Sequence, residues 1–128
     1  MKYVQRVTQI VGYIAIVYLS YVYISHGINA VTGAPGFVIL VTAIGIPYAL
    51  AKILLIAVGV LDLIIALALV IYQKRWVLVC AGVWPIVPFV VTYFSTGFLS
   101  IRYLVYPIVA LIAYICLYMP FFTENTNE

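Results

Sequence analysis

Asp62 is the only acid of this chain outside the C-terminal tail, where Glu124 and Glu128 are the other two. It stands in the middle of an apolar run, ALAKILLIAVGVLDLIIALALVIY, residues 49–72. An ionisable side chain at that depth in lipid costs about 2.5–3.5 kcal/mol on insertion scales, so it belongs on the protein-facing side of its helix. Gly59 and Ala66, at i−3 and i+4, share that face and let a neighbouring helix come close. Two chemistries fit such a group. One is a proton-active or ligand-binding carboxylate. The other is a structural hydrogen bond to a Tyr or Ser on an adjacent helix, with Tyr13, Tyr18, Tyr106 and Tyr114 as the deeper phenols in search of partners.

Lys52 precedes Asp62 by ten residues, which on a helix is about 15 Å along the axis and about 80° around it, so the two do not pair directly. They fit the mouth and floor of one outward-opening cavity. Lys52 fits equally a side chain that snorkels to the outer headgroups. His26, Asn29, Lys52 and Arg102 all fall near the outer ends of apolar runs. Together they suit an anionic or quinone-like headgroup; singly, each is an ordinary interfacial residue.

His26 is the one histidine, and a bis-histidine haem or a copper site needs at least two. The expectation is therefore no metal site and no cofactor held by this chain alone, with a quinone or a lipid as the candidate guest. Cys80 and Cys116 form no CxxC pair and read as buried, inert thiols. There is no phosphate-binding glycine loop, no HExxH and no GxSxG. The chain is too short for a soluble catalytic domain beside its apolar runs, so it is not expected to be an enzyme by itself. The segment WPIVP carries Pro85 and Pro88 in the middle of a run. Two missing N–H donors predict a kink there, with carbonyls near Ala81 and Trp84 left for water, a side chain or a ligand.

The elements that must hold these residues follow from composition. Of 128 residues, 68% are hydrophobic and 7% charged, where a soluble domain carries about 25% charged residues. Mean hydropathy is +1.27. A small water-soluble fold cannot hide so much apolar surface. Disorder, a coiled coil and a soluble enzyme are excluded, and an integral membrane protein remains. Four runs, about 7–25, 49–72, 76–95 and 101–122, are long enough to span, given the need for about 20 apolar residues. Each must be a helix, because a lone strand cannot satisfy its backbone in lipid. The predicted fold is all-α: a single-domain, integral membrane four-helix bundle with its third helix proline-kinked.

Residues 27–48 read as an outer loop whose apolar part, GFVILVTAIGI, is too short to cross alone and dips into the interface or covers the bundle. A five-span arrangement is the alternative. The first run exceeds the roughly 7–15 apolar residues of a signal peptide and is expected to be a retained span. Lys2, Arg6, Lys74 and Arg75 fall on one side, Lys52 and Arg102 on the other. The positive-inside rule then places both termini in the cytoplasm. Tyr3, Tyr48, Tyr72, Tyr103 and Trp76 read as interfacial anchors. The net charge of +3 is accounted for by orientation, and no basic cluster is dense enough for nucleic acid.

The stretch GIPYALAKILLIAVGVLDLIIALALVI resembles the central part of DoxX-like membrane proteins, with Gly45-Ile46-Pro47 as the turn and Gly59-Val60-Leu61-Asp62 as the small residue and acid. SHGINAVTG is similar to the close of that family's first helix at His26-Gly27, although Ala30 stands where a Lys is expected, and the acid is Asp rather than the commoner Glu. The likeness covers residues 7–75 best. It implies a four-helix membrane bundle associated with membrane redox chemistry, as a small subunit of a quinone-linked oxidoreductase or terminal oxidase. Two functional expectations result. The first is an accessory subunit of a respiratory or other oxidoreductase complex, giving packing and lipid or quinone-edge contacts beside other membrane subunits. The alternative is a small ligand-binding or proton-coupled transport protein, self-associated or alone in the bilayer, with Asp62 as the working group and the WPIVP segment as the moving part. A membrane oxidoreductase in its own right would need a bound quinone or flavin that no motif announces.

Overall fold

The computed structural model describes residues 2–119, and every regular element among them is helical. Three stretches are long and apolar enough to cross a membrane. They are α1 (Lys2–Val31, 30 residues), α3 (Tyr48–Ile71, 24 residues) and the 22-residue stretch Arg75–Thr96. The last is divided into α4 (Arg75–Val83) and α5 (Ile86–Thr96). Between α1 and α3 lies a short α2 (Pro35–Ala43), and α6 (Arg102–Tyr118) completes the described chain. With 17 residues, α6 is about 26 Å long at 1.5 Å per residue, short of a hydrocarbon core of about 30 Å. Residues 120–122 of the expected fourth run, and the polar tail after them, lie outside the described residues.

The stretch 27–48 is not a loop. The first helix continues to Val31, with Gly27 inside it packed against α3, and the chain first turns at Gly33, whose φ is 66°. Pro35 then starts α2 from the first helical position, where its fixed φ suits the helix and its missing N–H costs nothing. A second positive φ, 91° at Gly45, stops α2, and Pro47 leads into α3. With nine residues α2 cannot cross; it packs on α3 and α5 and covers the bundle on that side.

The two prolines of WPIVP act differently. Pro88 falls in the first turn of α5, where an N–H has no helical partner in any case. Trp84 O is taken by Val87 N at 3.0 Å, so it is not left free. Pro85 is the residue that interrupts the run, and Ala81 O, four residues earlier, loses its helical donor. Pro107 lies inside α6 and was not part of the sequence reading.

Packing centres on α1, which lies against α3 and α6, while α4 lies against α6. α1 and α6 run antiparallel: Gly12 meets Leu117 at one end of their contact, and His26 meets Tyr103 at the other. Along α3, Gly59 faces Val31 and Gly27, and Leu63 faces Gly27. Leu19, Leu69, Val77 and Leu78 form the fully buried centre. The exterior is apolar all round, with Ile14, Ile53 and Leu67 each more than 60% exposed. A surface of that kind is stable against lipid and not against water. Cys80 is on this exterior, not in the core, and Cys116 is half-buried, so the expectation of two buried thiols fails for Cys80.

Candidate functional site

Asp62 is 4% exposed, as its depth in α3 requires. Its hydrogen-bond partner is neither a tyrosine nor a serine. The indole Nε1–H of Trp84 donates to Asp62 Oδ1 at 2.7 Å. Trp84 reaches α3 from the interruption between α4 and α5, so Pro85 fixes the position of the ring that holds the acid. Among the deeper tyrosines put forward as partners, Tyr13 and Tyr18 are exposed and Tyr114 leans on Tyr118. Tyr106 alone of the four is buried.

The buried phenol with a clear task is Tyr23, which the sequence reading did not single out. Its hydroxyl donates to Ala81 O at 2.6 Å. That carbonyl is the one stranded by Pro85, so a side chain from α1 supplies the hydrogen bond that the proline removes. Two side-chain bonds therefore anchor the interruption, one from α1 and one to α3. Tyr23→Phe is expected to lower stability in mild detergent by about 0.6–1.7 kcal/mol, the range of hydrogen bonds within membrane bundles. Pro85→Ala restores a helical donor for Ala81 O, so Tyr23→Phe should then cost much less. Thermal unfolding of the two single variants and the double variant measures the difference; equal costs in both backgrounds would remove this role for Tyr23.

Beside the interruption is a cavity of about 110 Å³. This is smaller than the cavity of about 150 Å³ that holds benzene, so it suits at most one small ring, one compact head or a few waters. Its polar lining comes from Tyr23 and His26 of α1, Asp62 of α3, Thr92 of α5, and Tyr103 and Tyr106 of α6. Trp84, Pro85 and Pro88 line it at the interruption, and Phe37 of α2 lines it as well. The imidazole of His26 meets the rings of Phe37, Tyr103 and Tyr106 nearly at right angles, with centroids 5.5, 6.3 and 6.2 Å away. Edge contacts of this kind hold an aromatic ring in place. The other polar side chain in the core, Ser20, has no hydrogen-bond partner among the described residues and does not line the cavity.

The four outer residues grouped in the sequence are not brought together. His26 lines the cavity, while Asn29, Lys52 and Arg102 are exposed and do not. The Lys52 Nζ lies 5.0 Å from the centre of the Tyr48 ring, a cation–π contact at the start of α3. Of the proposed mouth and floor, the cavity thus contains Asp62 and not Lys52. No group of three His, Cys, Asp or Glu side chains among the described residues is placed to hold a metal ion.

α5, which has no buried residue, contributes Val87, Pro88, Val91 and Thr92 to the cavity wall. Ser95 Oγ, within 2.6 Å of Leu40 O and 2.7 Å of Val91 O, links α5 to α2. Comparison with family models, with curated proteins and with solved structures finds no match to this chain.

Proposed function

We propose that the chain is a four-span membrane bundle that binds a small ligand in the cavity beside Asp62, and that Asp62 exchanges a proton in doing so. In this reading α6 completes the set of spans and the third span bends at Trp84–Pro85. Both termini are cytoplasmic, with Lys2, Arg6, Lys74 and Arg75 on that side. The observation that carries the reading is a buried carboxyl with a single hydrogen bond, set in the wall of a ring-sized, mostly apolar cavity. A carboxyl kept only for structure would be enclosed by donors; this one has a single donor and belongs to a residue that lines the cavity.

The chain has two tryptophans, and Trp84 is bonded to Asp62. With Trp76→Phe, Trp84 becomes a reporter of the acid. Its emission should follow a single protonation step as pH is lowered. In Asp62→Asn that step should vanish while the protein stays folded, because the amide oxygen still accepts the indole N–H. A step that persists in Asp62→Asn would end the assignment of the proton to Asp62.

A second reading keeps the accessory-subunit role: a small subunit of a quinone-linked oxidoreductase whose cavity takes a quinone or quinol ring at the edge of a larger assembly. It is favoured by the ring-sized space with an imidazole and a carboxyl in its lining. Gentle solubilisation from native membranes, followed by mass spectrometry and a visible spectrum, separates the two. Co-purifying subunits with haem or flavin absorbance support the second reading. A colourless particle of this chain alone overturns it.

A further inference from the structure

We infer that the cavity's ligand is a small organic cation, an ammonium group on apolar or aromatic substituents, and that it competes with the proton for Asp62. This rests on the cavity being a ligand site. Charge comes first. Among the described residues, Asp62 is the only acid in the lining and no Lys or Arg lines it; Lys52 and Arg102 are exposed elsewhere. An anionic guest would meet a carboxyl with no cation to offset it. A cationic guest removes the penalty of a lone carboxylate in an apolar site, as a proton does.

The rest of the lining limits what the cation can carry. Most of it is aliphatic or aromatic, so a guest rich in hydroxyls would leave them unpaired. Tyr23, Trp84, Tyr103 and Tyr106 supply rings around the space, and aromatic faces attract ammonium groups, more strongly when desolvated. The volume of about 110 Å³ limits the guest to about one ring or one compact quaternary head. The titratable groups that share the cavity with Asp62 are Tyr23 and His26 from α1 and Tyr103 and Tyr106 from α6; α2 and α5 contribute none to the lining. His26 is the only base among them. An imidazole is ordinarily neutral above pH 7 and so does not oppose a cation there.

The test uses pyrrolidinium, a single-ring ammonium that keeps its charge at both pH values used, and its uncharged isostere cyclopentane, with the full chain in lipid nanodiscs and Trp76→Phe as background. Binding is followed by Trp84 emission and by calorimetry at pH 8 and pH 5. The cation should bind at least tenfold more tightly at pH 8 than at pH 5, with a proton released on binding at the lower pH. Asp62→Asn should lose at least tenfold in affinity for the cation and little for cyclopentane. Val91→Phe, which fills the cavity from α5, should weaken both. The pH dependence should survive His26→Gln; its loss there would assign the competing proton to His26 and overturn the inference. Equal affinity for the two probes, or full cation affinity in Asp62→Asn, also overturns it. If cyclopentane alone binds and Val91→Phe removes it, the cavity stands as a ligand site and the cation does not. If neither probe binds, both the inference and the ligand-site reading fall.

Discussion

Gly59→Leu is expected to abolish the folded bundle: no sharp thermal transition in mild detergent, and an aggregated profile on size exclusion. A Cβ at Gly59 would lie 2.7 Å from Gly27 O and 2.8 Å from Val31 N. Both are backbone atoms of α1, and neither can swing aside. The contact is reciprocal, since a Cβ at Gly27 would lie 2.9 Å from Gly59 O. The two helices therefore touch main chain to main chain, as small residues allow in membranes. Overpacking typically costs about 1–3 kcal/mol when side chains can yield. Here the backbones must separate, and about 3 kcal/mol or more is expected for leucine. Two other glycines serve as controls. A Cβ at Gly36 in α2 meets nothing within 4 Å, so Gly36→Ala should be neutral or stabilising by up to about 1 kcal/mol. A Cβ at Gly12 meets the Leu117 side chain, which can shift, and more distantly the Cys116 Cβ, which moves only with its backbone, so Gly12→Ala should fall between. A wild-type melting profile for Gly59→Leu would show that the α1–α3 contact does not support the fold.

Trp84→Phe is the second large effect. It keeps most of the ring and removes the one N–H bonded to Asp62. The carboxyl then stands in a 4% exposed site with no hydrogen-bond donor from the protein. A hydrogen bond to a group of this kind is worth about 1.5–3 kcal/mol, and stranding its partner adds a desolvation penalty, so a loss of about 2–3 kcal/mol is expected. The cause can be isolated. Adding Asp62→Leu removes the stranded group, and most of the lost stability should return, because an apolar pair of similar volume suits an apolar site. Thermal or denaturant unfolding of the single and double variants gives the coupling between the two positions. If Trp84→Phe costs the same with and without Asp62, the loss comes from ring packing and not from the hydrogen bond.

Much of this was legible in the sequence, for reasons that are local. Composition and run length announce apolar helices, and an acid in the middle of one has to face inward, as Asp62 does. Gly59, on the same face, does admit a neighbouring helix. What escaped was azimuth and partnership. Depth along a helix can be counted from the sequence; the direction in which a residue points around it depends on where the other helices lie. Lys52 and Arg102 were thus grouped with His26 by depth, and the fold points them elsewhere. Trp84 was read as part of a proline motif, and its role as the partner of Asp62 appears only when Pro85 interrupts the run beside α3. Tyr23 is one of twelve tyrosines, and nothing in its neighbours marks it as the donor to a carbonyl 58 residues away. Gly27 illustrates the same limit in α1. A glycine after a histidine near the end of an apolar run looks like a helix stop, and here it is the contact with α3.

The single-helix wall formed by α5 has a consequence for how occupancy is set. One side of α5, through Pro88, Val91 and Thr92, lines the cavity, while Ile86, Val90 and Phe94 on the same helix are exposed. On the proposed reading a guest would lie one helix away from the hydrocarbon of the bilayer, and the bilayer would be the reservoir it exchanges with. The concentration that fills the site is the one dissolved in the membrane, and for an amphipathic molecule this exceeds the aqueous value by its partition coefficient. Affinity quoted against aqueous concentration would then vary with the amount of lipid present, and two guests that fit equally well would be ranked by how well the membrane dissolves them.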